Sequence, residues 1–187
     1  MALTTLDPNT ALIIVDLQKG IVSLPGLPAM DSVIERASVL ARAFRGRALT
    51  VALVNVAGGA PGRVEQPRQM GSLPEGWTDL IPELDQQPSD IVVTKRTWGA
   101  FASTDLEAQL KARGVTQVVV AGVATGTGVE ATARQAYEAG FNVTLALDAM
   151  TDMRPEAHAY STKNIFPRLG ETGTSQEIIN LLPSRTA

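Results

Sequence analysis

Five short, continuously apolar runs rich in β-branched residues recur along this chain, at 11–15, 48–56, 91–93, 117–121 and 142–147. Each is too short for a buried helix. None alternates with period two, so each reads as a strand covered on both faces, the pattern of a parallel sheet. A weaker sixth strand is expected near 171–173. Between the runs lie segments with helical spacing at 32–45, 105–113, 129–138, 155–166 and 175–181. Gly46, Gly114 and Gly140 follow helical runs, where a left-handed residue ends a helix at little steric cost. Ser103, Thr104, Asp105, Thr174 and Ser175 offer N-caps. Strand alternating with helix, joined by right-handed crossovers, predicts a three-layer α/β/α fold around a mainly parallel six-stranded sheet in the order 3-2-1-4-5-6.

The stretch 57–88 breaks this alternation. It is rich in Pro and Gly, carries Gln66-Pro67-Arg68-Gln69 and Trp77, and reads as a long irregular excursion before the third strand. With 187 residues there is enough chain for one sizeable core, so residues 1–187 are expected to form a single domain.

Composition removes several function classes. The 16 basic and 19 acidic residues are interspersed without a Lys/Arg run, which argues against a nucleic-acid partner. The sequence has no cysteine, so disulfides, thiolate metal sites and thiol catalysis are excluded together. A single histidine, His158, cannot form a histidine-pair zinc site, and no metal site is expected. No apolar run approaches the roughly 20 residues that cross a bilayer, and residues 1–9 lack the pattern of a secretory signal. The expectation is a cytoplasmic protein with no membrane partner.

Ligands of open parallel sheets bind at the carboxyl ends of the strands, near the point where strand order reverses. Three strand ends here carry unusual residues. Asp16 ends the first run, where desolvation of its carboxylate would suit general acid/base use; an Asp that caps a loop is the equal alternative. Lys95 follows the third run and is a rim charge unless it converges with Asp16. The fourth run enters Gly122-Val-Ala-Thr-Gly-Thr-Gly128, a small-residue turn at a helix start. It serves either as an anion or oxyanion cradle of backbone N–H groups or only as a tight turn. It does not carry the dinucleotide or Walker-type phosphate patterns. His158 reads more readily as a helix-end residue than as a catalyst, and Asp148 as either a site carboxylate or an N-cap. Trp98 and Phe101 either wall the pocket or pack structurally.

Taken together, residues 11–18 (Ala-Leu-Ile-Ile-Val-Asp-Leu-Gln), 95–101 (Lys-Arg-Thr-Trp-Gly-Ala-Phe) with 104–106, 118–125 and 128–140 resemble the isochorismatase-like hydrolase family, which includes nicotinamidases and other amidases often called cysteine hydrolases. The resemblance spans nearly the whole chain. It implies a catalytic set in which Asp16 and Lys95 match the family's Asp and Lys, while the family's cysteine falls at Gly128. It also implies a cis peptide at Val123–Ala124. Gln18, Trp98, Phe101, Ala124 and Thr125 are the residues expected around the substrate.

Metal-binding relatives use a histidine-containing site after the first strand, and the loop 18–31 has no His, so zinc-dependent nicotinamidase activity is disfavoured. Isochorismatases proper hydrolyse a vinyl ether, which needs an acid and a water but no covalent nucleophile, and members of that branch are known with Gly at the nucleophile position. The resemblance thus implies a cofactor-independent hydrolase of a small molecule, with Asp16 as general acid/base, working as a homo-oligomer (dimer or larger). The competing reading is a small-molecule-binding relative that has lost the reaction. Thr125 or Thr127 as a replacement nucleophile ranks last, because a hydroxyl is far less ionised than a thiol and His158 is expected to be poorly placed to activate it.

Overall fold

The computed structural model describes residues 3–66 and 73–183. Six strands, β1 (Thr10–Val15), β2 (Thr50–Val56), β3 (Ile91–Lys95), β4 (Gln117–Val123), β5 (Asn142–Thr151) and β6 (Glu171–Gly173), form one sheet. All pairings are parallel, and the order is β3-β2-β1-β4-β5-β6, as the alternation of strand and helix predicts. Strand order reverses between β1 and β4, so the crevice expected at a switch point opens at the ends of these two strands.

The helices are α1 (Lys19–Val22), α2 (Met30–Gly46), α3 (Leu106–Ala112), α4 (Glu130–Glu138), α5 (Pro155–Tyr160), α6 (Phe166–Leu169) and α7 (Ser175–Leu181). Alternate residues of the central strands serve opposite faces of the sheet. Leu12, Ile14, Val119 and Ala121 pack with Leu40 and Phe44 of α2 and Ile178 of α7. Ile13, Val15, Val118 and Val120 pack with Leu106 and Leu110 of α3, Ala133 of α4 and Phe166 of α6. Because both faces are covered, both residue parities must be apolar, which is why the strands read as continuous runs rather than alternating ones.

The structure departs from the sequence-based expectation at several boundaries. β3 continues through Thr94 and Lys95, paired with Asn55 and Val56. β5 continues to Thr151 through a shift of register: Leu145 lies opposite Val120, but Met150 lies opposite Gly122. Residues 146–149 therefore bulge, and the interrupted pairing and the polar Asp148 hide the second half of the strand from a hydrophobicity reading. α1 and a short 3-10 turn at Pro82–Leu84 were not expected.

Gly114 (φ 69°) and Gly140 (φ 87°) take the left-handed conformation foreseen for them. Gly46 instead ends α2 in ordinary geometry, and the left-handed residue is Ala48 (φ 59°). There the Arg47 guanidinium holds the exit by donating to the carbonyls of Leu182 and Pro183 at 3.0 and 2.8 Å. In the excursion 57–88, most of the Gln66–Gln69 segment lies outside the described residues. Trp77 folds back over α1, where its indole fills the space that any Cβ at Gly20 would need. Among the described residues no helix is long and apolar enough to cross a membrane.

Candidate active site

Asp16 leaves β1 in a left-handed conformation (φ 55°), and its N–H still donates to the Val54 carbonyl at 2.8 Å. Aspartate tolerates this geometry better than a β-branched or bulky residue. The chain therefore turns sharply at the strand end while its backbone donor remains paired. Lys95 ends β3 two strands away, and its ammonium reaches across the end of β2 to donate to Asp16 Oδ2 at 2.8 Å. The side chains are 2% and 9% exposed, so the pair is a buried salt bridge. Lys95 also donates to the Thr97 carbonyl at 3.3 Å. The convergence that alone would make Lys95 more than a rim charge is present.

The third wall comes from β4. Gly122 has φ 115°, and a Cβ there would lie 2.1 Å from the Val15 carbonyl oxygen, so the ends of β1 and β4 approach too closely for any side chain. Beyond it the Val123–Ala124 peptide is cis, as the resemblance implies. The chain then enters a π-helical turn, Thr125–Val129, that runs into α4. An ideal Cβ at Gly128 would lie 3.2 Å from Asp16 Oδ2 and 3.0 Å from the Val123 carbonyl oxygen. Position 128 thus faces the Asp16 carboxylate directly, and the three predicted positions form one cluster.

The turn is less open as an anion cradle than its glycines suggest. The Gly126 N–H is taken by Asp152 Oδ2 at 2.8 Å, and the Thr127 and Val129 N–H groups both donate to the Ala124 carbonyl at 3.1 Å. Asp152, buried just beyond β5, also accepts from the Arg154 N–H at 2.9 Å. Sequence reasoning missed it, because the apolar run ends before Asp148 while the strand does not; for Asp148 it left open a site carboxylate or an N-cap. Asp148 accepts from the Ser175 N–H and hydroxyl at 2.6 and 2.8 Å and pairs with Arg36 at 3.0 Å, so it anchors the start of α7 rather than joining the cluster.

The segment after β3 is fastened to α4. The Ala100 N–H donates to Thr132 Oγ1 at 3.2 Å, the Phe101 N–H to Gln135 Oε1 at 3.0 Å, and the Thr132 hydroxyl donates to the Gly128 carbonyl at 2.7 Å. A Cβ at Gly99 would overlap the Gln135 amide where it now stands, so a side chain there would displace the Phe101–Gln135 bond. Lys95 and the turn are held in mutual register by these bonds.

Of the residues expected around a substrate, Ala124 and Thr125 lie on the turn, Ala124 half-buried and Thr125 fully buried. Trp98 is 64% exposed beside the Lys95 strand end. Two assignments change. Gln18 is fully buried and its amide is committed to backbone: it donates to the Val56 and Trp77 carbonyls, each at 3.1 Å, and accepts from the Val56 N–H at 2.7 Å. It clamps the excursion to β2 instead of presenting its amide to a ligand. Phe101 packs in the core against Phe141, with ring centroids 6.0 Å apart, rather than walling a pocket.

His158 also differs from expectation. Its Nδ1 lies 2.9 Å from the Thr125 hydroxyl, so the single histidine touches the turn after all. The bulge in β5 and the return of α5 bring it there. Neither is visible as a local pattern.

Comparison with known proteins agrees with this architecture. The isochorismatase domain family matches residues 10–177. An uncharacterized isochorismatase family protein, YecD, of Escherichia coli O157:H7 is 41% identical over 181 residues, covering 93% of this chain and 96% of that protein. The streptothricin hydrolase of Streptomyces noursei is 40% identical over 141 residues, 74% of this chain but 48% of that protein. The structure of an isochorismatase family protein from Burkholderia thailandensis superposes with a TM-score of 0.91 at 39% identity, covering 97% of this chain and 99% of that one. With the sheet order, the site at the β1/β4 switch point and these matches in agreement, the chain belongs to the isochorismatase family of hydrolases.

Proposed function

We propose that this protein hydrolyses a small molecule without a covalent nucleophile, using Asp16 as general acid/base, Lys95 to hold and orient the carboxylate, and Gly128 as the family's nucleophile position left without a side chain. The observation that carries this reading is the placement of Asp16 Oδ2: 2.8 Å from the Lys95 ammonium and 3.2 Å from where a Cβ at position 128 would stand. A reaction that proceeds through protonation suits such a site. For a vinyl ether, the proton held by the Lys95–Asp16 pair passes through Asp16 to the enol-ether carbon, and water captures the oxocarbenium ion. The proton released from that water returns to Asp16, and the hemiketal collapses to a carbonyl compound and an alcohol. The N–H groups of Thr125 and Gly128 would meet a polar group of the substrate, those of Gly126 and Thr127 being engaged elsewhere. The reading requires no cofactor and retains a homo-oligomeric, cytoplasmic enzyme.

The test is turnover of isochorismate, simple enol ethers and small amides by the natural chain, by Asp16→Asn and by Gly128→Cys. A positioned acid contributes roughly 10²- to 10⁴-fold in rate, so Asp16→Asn is expected to reduce enol-ether turnover by at least about 10²-fold. Turnover of the natural chain that survives Asp16→Asn overturns the mechanism. Tight ligand binding with no turnover, together with amidase activity gained in Gly128→Cys, identifies a binding protein instead. The gain requires neighbours of position 128 to yield slightly, since the new Cβ meets the Val123 carbonyl oxygen at 3.0 Å.

A further inference from the structure

The contact between α5 and the turn 125–129 is specific. Gly126 packs closely on that side: a Cβ would lie 3.0 Å from the Ala157 Cβ, 3.3 Å from Asp152 Oδ2 and 3.5 Å from Ser161 Oγ. Three polar bonds join the turn and the start of α4 to α5 and the residues flanking it. Asp152 caps the Gly126 N–H at 2.8 Å, the Ser161 hydroxyl donates to Glu130 Oε2 at 2.6 Å, and His158 Nδ1 meets Thr125 Oγ1 at 2.9 Å. The Thr125 side chain is buried, and its hydroxyl is committed to His158 across this contact. A buried hydroxyl left without its partner is costly, and here the partner is the only histidine of the chain.

We infer that His158 is a positioning residue for the active-site turn, acting through the Thr125 hydroxyl to hold the turn over Asp16. The inference rests on the site proposed above, and its structural arm stands apart from any turnover. The imidazole serves in either tautomer, since the threonine hydroxyl donates to a bare Nδ1 or accepts from a protonated one. Asparagine at 158 offers a donor and an acceptor close to the place of Nδ1, and alanine offers neither. The turn supplies the backbone that meets the substrate, so its loosening lowers the rate of the chemical step more than it weakens binding.

The test combines His158→Ala, His158→Asn and Thr125→Val, read by backbone amide exchange and by kinetics on whichever substrate the preceding screen identifies. His158→Ala is expected to speed exchange of the Gly126, Thr127 and Gly128 amides by about tenfold or more while Ile13 and Val119 in the sheet remain protected. It is expected to reduce kcat by about tenfold to a hundredfold with KM little changed. His158→Asn restores most of both, and adding Thr125→Val to His158→Ala costs little more than either change alone. Should His158→Ala fail to fold, Thr125→Val and His158→Asn carry the same readouts. Unchanged exchange at 126–128, or exchange that rises equally throughout the sheet, overturns the inference. A chain without turnover that still shows the local exchange change sustains it while refuting the Asp16 mechanism.

Discussion

Asp16 and Lys95 stand 79 positions apart in sequence, and the ammonium of one meets the carboxylate of the other at 2.8 Å because β1 and β3 flank β2 in parallel and end at the same edge of the sheet. With 9% and 2% of their side chains exposed, the two charges are buried together. Removing one partner of a buried ion pair costs about 3–5 kcal/mol. Lys95→Met is therefore expected to lower stability by that order, and Asp16→Asn combined with Lys95→Met to recover part of the loss. Urea unfolding of the two single variants and the double variant checks this; strictly additive losses would contradict it.

Two of the glycines with positive φ, Gly122 and Gly140, are expected to respond differently to alanine. At Gly122 the added Cβ lies 2.1 Å from a backbone oxygen of β1, which cannot move without parting the central strands. Gly122→Ala should cost more than about 4 kcal/mol or prevent folding. At Gly140 (φ 87°) nothing lies within 4 Å of the new Cβ, so Gly140→Ala should cost only the left-handed penalty of about 1–2 kcal/mol. Thermal unfolding of the purified variants separates these outcomes.

Asp148 is predicted to act on stability and not on the site. Its carboxylate holds the Ser175 N–H and hydroxyl and pairs with Arg36, joining β5, α7 and α2. Asp148→Ala is expected to cost about 1–3 kcal/mol through the unpaired helix-start donors. Amide exchange should quicken along α7 first, and ligand binding should be unaffected. A selective loss of binding without loss of stability would return Asp148 to the site.

The cap of α7 predicts an acid sensitivity. Glu177 Oε2 accepts from the Thr174 N–H at 2.7 Å and from its hydroxyl at 3.0 Å, while Thr174 Oγ1 accepts from the Glu177 N–H at 3.2 Å, a reciprocal capping box. The Thr174 backbone N–H, and after it the hydroxyl, hold the Glu177 carboxyl below its ordinary value of 4.5. The folded state thus binds the proton less readily than the unfolded one. The contribution is complete above the unfolded value and is lost as pH falls through the lowered one. Glu177→Gln keeps an amide acceptor at this place, so its urea midpoint should fall less between neutral pH and about pH 3 than that of the natural chain. Parallel declines in the two proteins would contradict the assignment.

The site was only partly legible in local pattern. Asp16, Lys95 and the 122–128 turn each follow an apolar run, and the rule that ligands gather at strand ends, with the family resemblance, made them candidates for one site. Gln18 and Phe101 sit in the same segments, yet one is consumed by backbone bonds to Val56 and Trp77 and the other by packing on Phe141. Nothing in a strand-end position distinguishes a side chain turned to the crevice from one turned inward. That distinction depends on φ at Asp16, on the closeness of Gly122 to Val15, and on where the 57–88 excursion returns.

The sequence by itself determined a parallel sheet and the absence of any thiol chemistry, because apolar run length and residue identity are local properties of the chain, and the alternation of strand with helix pointed to the strand order through the fold class. Only the tertiary structure decided that Lys95 reaches Asp16, that position 128 faces the same carboxylate, and that Asp152 and His158 close the far side of the turn. The β5 bulge and the return of α5 place those last two residues, and a bulge arises from pairing between strands distant in sequence, which no single segment encodes.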